Sequence, residues 1–225
     1  MSLKKTIQDA LAHRRETRIP GISGLIGMYV VGIIVFFILS YTGSPENMRQ
    51  YQFASEKGSV TALSSIFLAM TGAFSGVAYH FSKRRSGHNS IFWLVATIGF
   101  LFLSFDELMR MHELVGWLTE KSIGPPVLFR NWNDLLLAGY GVVAIVTIFC
   151  FLPEILRNPY FAEILVVAFG FFALHTLVDS LMEPPTTNSF ILEESSKLLC
   201  SASLSLAAFV GLLSVIGGDG LSDTP

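Results

Sequence analysis

The chain has 225 residues, 52% of them hydrophobic and only 14% charged, with a formal net charge of -2. A soluble domain of this size lacks the polar surface to hide so much apolar side chain, and a near-neutral chain argues against nucleic acid as a partner. The composition is that of a polytopic membrane protein whose first partner is the lipid bilayer.

Residues 1–20 carry Leu3, Ile7, Ala10 and Leu11 at helical spacing among Lys4, Lys5, Arg14, Arg15 and Arg18. This reads as an amphipathic helix on an anionic membrane surface, or as a basic flank that sets topology. Pro20 and Gly21 end it. The first span follows over about Ile22 to Tyr41, too long for a signal-peptide core and therefore an uncleaved anchor.

A polar segment from Thr42 to Gly58 leads to the second span, about Ser59 to Phe81. Ser64, Ser65, Ala69, Gly72, Ala73, Ser75 and Gly76 make it small-residue-rich. Such helices pack closely, so burial among neighbours is expected. The third span starts near Ser90. No Gly or Pro interrupts Leu101 to Val115, so its helix is expected to run on toward Trp117 before Gly124, Pro125 and Pro126 end it.

The fourth span covers about Asn133 to Leu152, with Asn133 or Asp134 as N-cap. A turn holding Pro153 and Pro159 precedes the fifth, Tyr160 to Met182, and Pro184 and Pro185 precede the sixth, Phe190 to Ile216. The expectation is an all-α, six-span bundle over 21–217, with a disordered tail at 218–225. Cys150 and Cys200 fall inside spans at different depths and fit no disulfide, zinc or redox spacing. Lysine and arginine are concentrated in the N-terminal segment and in the second and fourth connections, which places both termini in the cytoplasm of an inner-membrane protein.

Ionisable groups gather at the opposite ends of the spans. The third span closes on Ser104-Phe105-Asp106-Glu107-Leu108-Met109-Arg110-Met111-His112-Glu113, the fifth contains His175 and Asp179, and the sixth opens with Glu193, Glu194 and Lys197. At about 1.5 Å per residue, Asp106 lies about 24 Å along its helix, and His175 and Asp179 lie about 22 and about 28 Å along theirs. Glu193 and Glu194, near the start of an oppositely directed helix, reach the same layer.

Charge at this depth is paired or functional. Asp106, Glu107, His175, Asp179 and Glu194 are therefore candidate ligands of a divalent metal, with His112, Glu113 and Glu193 as secondary candidates. A mixed carboxylate and imidazole set suits zinc, manganese or iron. On a straight helix His112 points about 120° from Asp106, so either it faces a loop or the helix bends. The structural alternative is local pairing of Asp106 or Glu107 with Arg110, and of Glu193 or Glu194 with Lys197, with the charged heads at the interface.

Glu56-Lys57-Gly58 before a span, then a span ending in Asp106-Glu107 with His112-Glu113 beyond, resembles uncharacterised bacterial polytopic inner-membrane proteins. Asp106-Glu107-Leu108-Met109 and His175 with Asp179 also show partial similarity to alkaline-ceramidase-like membrane hydrolases. That family has Met one place later, and a second histidine where Asp179 stands here. The second resemblance implies metal-assisted hydrolysis of a lipid-like substrate. Two other classes fit the same residues. One is an accessory subunit of a larger membrane complex, and the other is proton or ion handling by the carboxylates.

Overall fold

Six helices among the described residues are long and apolar enough to cross a membrane. They are α2 (Ile22–Gly43), α3 (Ser59–Ser82), α4 (Ser90–Met109), α6 (Trp132–Cys150), α8 (Phe161–Leu181) and α9 (Thr187–Gly217). Three further α-helices, α1 (Leu3–Glu16), α5 (Met111–Ile123) and α7 (Leu152–Arg157), and a single 3-10 turn at Glu46–Met48 lie outside the spans, and no strand occurs among the described residues. The computed structural model describes residues 3–16, 21–48, 58–84, 89–126, 131–181 and 187–217, without the side chains of 3, 15, 16, 179–181 and 187. The expected tail at 218–225 lies outside these residues.

The all-α, six-span architecture is thus the observed one. Six spans return the chain to the side on which it began. Below, the side of α1 is the terminal side and the opposite one the far side.

Helix α9 is the axis of the bundle, packed against α3 on one flank and α8 on the other, while α4 packs on the outer flank of α3. Small residues decide these contacts, as the composition of α3 suggests. A β-carbon at Gly72 would lie 2.9 Å from Leu101 Cγ on α4, so only glycine admits that approach. Nearby, Ser65 Oγ donates to the Ser104 carbonyl at 3.0 Å and Ser104 Oγ to the Ser65 carbonyl at 2.9 Å. On the other flank the Ser64 and Ser201 hydroxyls meet at 2.8 Å. Polar side chains satisfied across helices in this way tie the bundle together without exposing a donor to lipid.

The terminal half is sealed by aromatic packing. Trp93, fully buried, lies among Phe92, Phe161, Ile155 and Leu212, and Gly211 leaves the room its ring needs. The buried Glu154 carboxylate accepts from the Trp93 indole at 3.2 Å and from the Asn89 backbone N–H at 2.9 Å. A negative group at the N-terminus of α4 is favoured by the helix dipole. Glu154 belongs to α7, so the stretch expected to be a simple turn around Pro153 is a short helix that caps its neighbour. α1 docks on α7, burying Ala10, while Arg14 pairs with Glu163.

Candidate functional site

The far ends of α4, α8 and α9, with α5 and the start of α6, enclose a cavity of about 220 Å³. Its lining includes Glu107, His112, Glu113, Asp134, His175, Glu193 and Lys197. The sequence expectation of one shared layer of charge is the observed arrangement at its coarsest level. Which groups meet inside that layer differs from what the spacing suggested.

The largest difference is at Arg110, where φ is 54° and ψ 42°. The third helix does not run on toward Trp117. It ends at Met109, passes one left-handed residue, and restarts as α5 at Met111. An L-residue with a β-carbon rarely adopts this region, and no glycine, asparagine or proline announced it.

The break supplies the bend that aims His112 back at Asp106. Asp106 Oδ1 accepts the His112 backbone N–H at 2.8 Å, one of the unpaired donors at the start of α5, while Oδ2 lies 2.9 Å from ring Nδ1. Asp106 is only 4% exposed. Tyr140 of α6 is close enough to feel its charge. The secondary candidate His112 is therefore central, and Asp106 holds that ring instead of reaching into the cavity.

Arg110 pairs with Glu113, its Nε 2.7 Å from Oε1, a partner the local-pairing alternative did not name. Glu107 meets Lys197 instead. The ammonium lies 3.0 Å from Glu107 Oε1, an ionic contact off the hydrogen-bond direction, and donates to Glu194 Oε1 at 2.9 Å. Thr61 Oγ1 donates to the other Glu194 oxygen at 3.1 Å.

Glu194 is 1% exposed, so this is a buried cluster linking α3, α4 and α9 and not an interfacial pair with solvated heads. Burying charge is costly, and complementary partners from three helices offset it. The hydroxyl of Thr61, unremarked in the sequence, belongs to the same buried stripe as Ser64 and Ser65.

His175 faces the bundle interior at 9% exposed and lines the cavity with Glu193, Glu107 and Lys197. Asp179 lies one turn further along α8, and its side chain falls outside the described residues. Among the described residues no group of three or more His, Cys, Asp or Glu side chains is arranged to hold a metal ion.

The remaining wall comes from α6. Its N-cap is Asn131, whose Oδ1 accepts the Asp134 N–H at 2.9 Å, in place of the expected Asn133 or Asp134. Asn133 instead packs on Gly116 of α5, where a β-carbon would collide with its Oδ1. The Trp132 indole donates to the Gly124 carbonyl at 2.8 Å, so both ends of α5 are pinned beside the cavity. Asp134, Asn131 and Asn133 line the site, and the only signal for them was a polar start to the fourth span at the same depth.

Burial by itself would lower the His112 pKa. The hydrogen bond to Asp106 and the charges of Asp106, Glu113 and Glu107 outweigh it, and the net effect is a raised pKa. The ring is oriented through Nδ1, which leaves Nε2 as the nitrogen able to act toward the cavity.

No curated protein and no solved structure matches the chain. Residues 25–212 match the family model described as Domain of unknown function (DUF8692), so the chain belongs to that family.

Proposed function

We propose that the far-side cavity binds a polar or charged group and that the Asp106 and His112 pair exchanges a proton with it. One observation carries this reading: a buried carboxylate grips both the backbone and the ring of His112, while the same histidine lines the cavity. A carboxylate on Nδ1 sets the tautomer and strengthens the imidazole as a base, the arrangement used in general acid–base chemistry. Lys197 neutralises charge on Glu107 and Glu194 beside it, which assigns those two carboxylates to holding the walls. With both termini in the cytoplasm of an inner membrane, the cavity opens toward the periplasm.

A carboxylate-oriented histidine is also how a metal ligand is held. A zinc, manganese or iron ion would need His112, His175 and Glu113 or Glu193 to draw closer together than they stand, with Asp106 behind His112.

Imidazole NMR of the purified protein, together with elemental analysis, tests the proposal. The expected result is a His112 that titrates above the ordinary imidazole value and falls in Asp106→Asn. A His112 that titrates at the ordinary value in both proteins refutes the acid–base assignment. Stoichiometric metal lost in both His112→Ala and His175→Ala would replace it with the metal reading.

A further inference from the structure

Helix α5 has two unlike faces. At about 100° per residue, His112, Glu113, Gly116 and Glu120 gather on one side. Its first turns meet the bundle, since His112 and Glu113 line the cavity and Gly116 packs on Asn133, while Glu120 further along the same side is exposed. The opposite side carries Met111, Leu114, Val115, Trp117 and Leu118, with Leu114 55% and Trp117 57% exposed. Five apolar side chains on one face of a helix outside the spans need a cover.

Two observations identify it. The last turn of the α4 span exposes Phe105, Leu108 and Met109, and exposed apolar side chains resume at Met111, one residue past the break, so the residues that follow a lipid-facing surface in the chain are themselves apolar and exposed. Lys121 places its ammonium 5.2 Å from the centre of the Trp117 ring. A tryptophan with an adjoining lysine suits the headgroup layer, where the indole lies at the acyl boundary and the amine reaches phosphate and water. The left-handed residue at Arg110 is what frees α5 from the axis of α4.

We infer that α5 is an interfacial helix docked in the far-side leaflet, with Met111, Leu114, Val115, Trp117 and Leu118 as its lipid-binding face. The wall carrying His112 and Glu113 then stands at headgroup depth. The placement of α5 rests on its own two faces and holds whatever the cavity binds.

Collision accessibility of nitroxide labels tests it. Cysteines are introduced singly along 111–122, in a chain whose Cys150 and Cys200 are replaced by alanine, and the labelled protein is placed in phosphatidylcholine bilayers. Labels at Leu114→Cys and Leu118→Cys should meet oxygen in preference to a water-soluble nickel chelate, and a label at Glu120→Cys should show the reverse.

Free collision of the 114 and 118 labels with nickel overturns the inference, since the face would lie in water. Shielding from both reagents overturns it too, since protein would cover the face. A second measurement avoids the cysteine replacements. Fluorescence quenching by brominated lipids is compared between the native chain and Trp117→Phe. The difference, which reports Trp117 alone, should be largest for bromines high on the acyl chain. The absence of any difference would refute the placement.

Discussion

Replacing Asp106 probes the junction on which the cavity depends. In Asp106→Ala the His112 backbone N–H loses its acceptor, the equivalent of removing an N-terminal helix cap and worth about 1 kcal/mol. The ring loses a charge-assisted hydrogen bond, worth about 2 kcal/mol at a buried site. The two losses share one carboxylate and sum to about 3 kcal/mol. Asp106→Asn keeps one acceptor and should lose about half of that.

The pH dependence separates this account from generic damage. Folding raises the His112 pKa, so the native state holds a proton that the unfolded chain releases above the ordinary imidazole value of 6.5. The stabilisation is complete below that value and is lost as pH rises through the raised native pKa. Unfolding in mixed micelles, followed by circular dichroism at several pH values, should show the gap between native protein and Asp106→Asn widest at low pH and shrinking as pH rises. A gap independent of pH, or one that widens with pH, would refute the reasoning.

Three further outcomes are expected. Lys197→Ala leaves Glu107 and Glu194 buried beside each other and should cost about 3–5 kcal/mol, seen as a large drop in the unfolding midpoint; a loss under about 1 kcal/mol would show that the cluster is solvated. Glu154→Ala removes the acceptor of the Trp93 indole and of an N-terminal backbone N–H of α4, at a cost of about 2 kcal/mol, together with a change in Trp93 fluorescence; an unchanged midpoint would contradict the capping role. Gly211→Ala drives a methyl group into the Trp93 and Phe161 rings and should destabilise by about 1–3 kcal/mol, whereas stability equal to the native chain would show that the aromatic cluster has slack.

Span number, span order and the common depth of the charged groups follow from local sequence. Apolar runs of membrane length, punctuated by Gly and Pro, leave few alternatives for the backbone, and rise per residue then sets depth. The stretch from Asp106 to Glu113, His175 and the acidic start of the sixth span were therefore legible as one layer.

Of the partners within that layer, the Glu194 and Lys197 pair, three residues apart on one helix, was legible; partners on different helices were not, because they depend on how each helix is rotated and how closely it approaches its neighbours. Those quantities are decided by packing at uncharged residues such as Gly72, Ser65 and Ser64 and not by the charges themselves. Lys197 could reach Glu107 only once α9 and α4 were both fixed against α3. The left-handed turn at Arg110 had no local signature either. Its backbone strain is offset by contacts that exist only in the folded chain: Asp106 on His112, Gly116 against Asn133, and the Trp132 indole on the Gly124 carbonyl. Local sequence determined which groups arrive at the far side, and tertiary packing decided which of them touch.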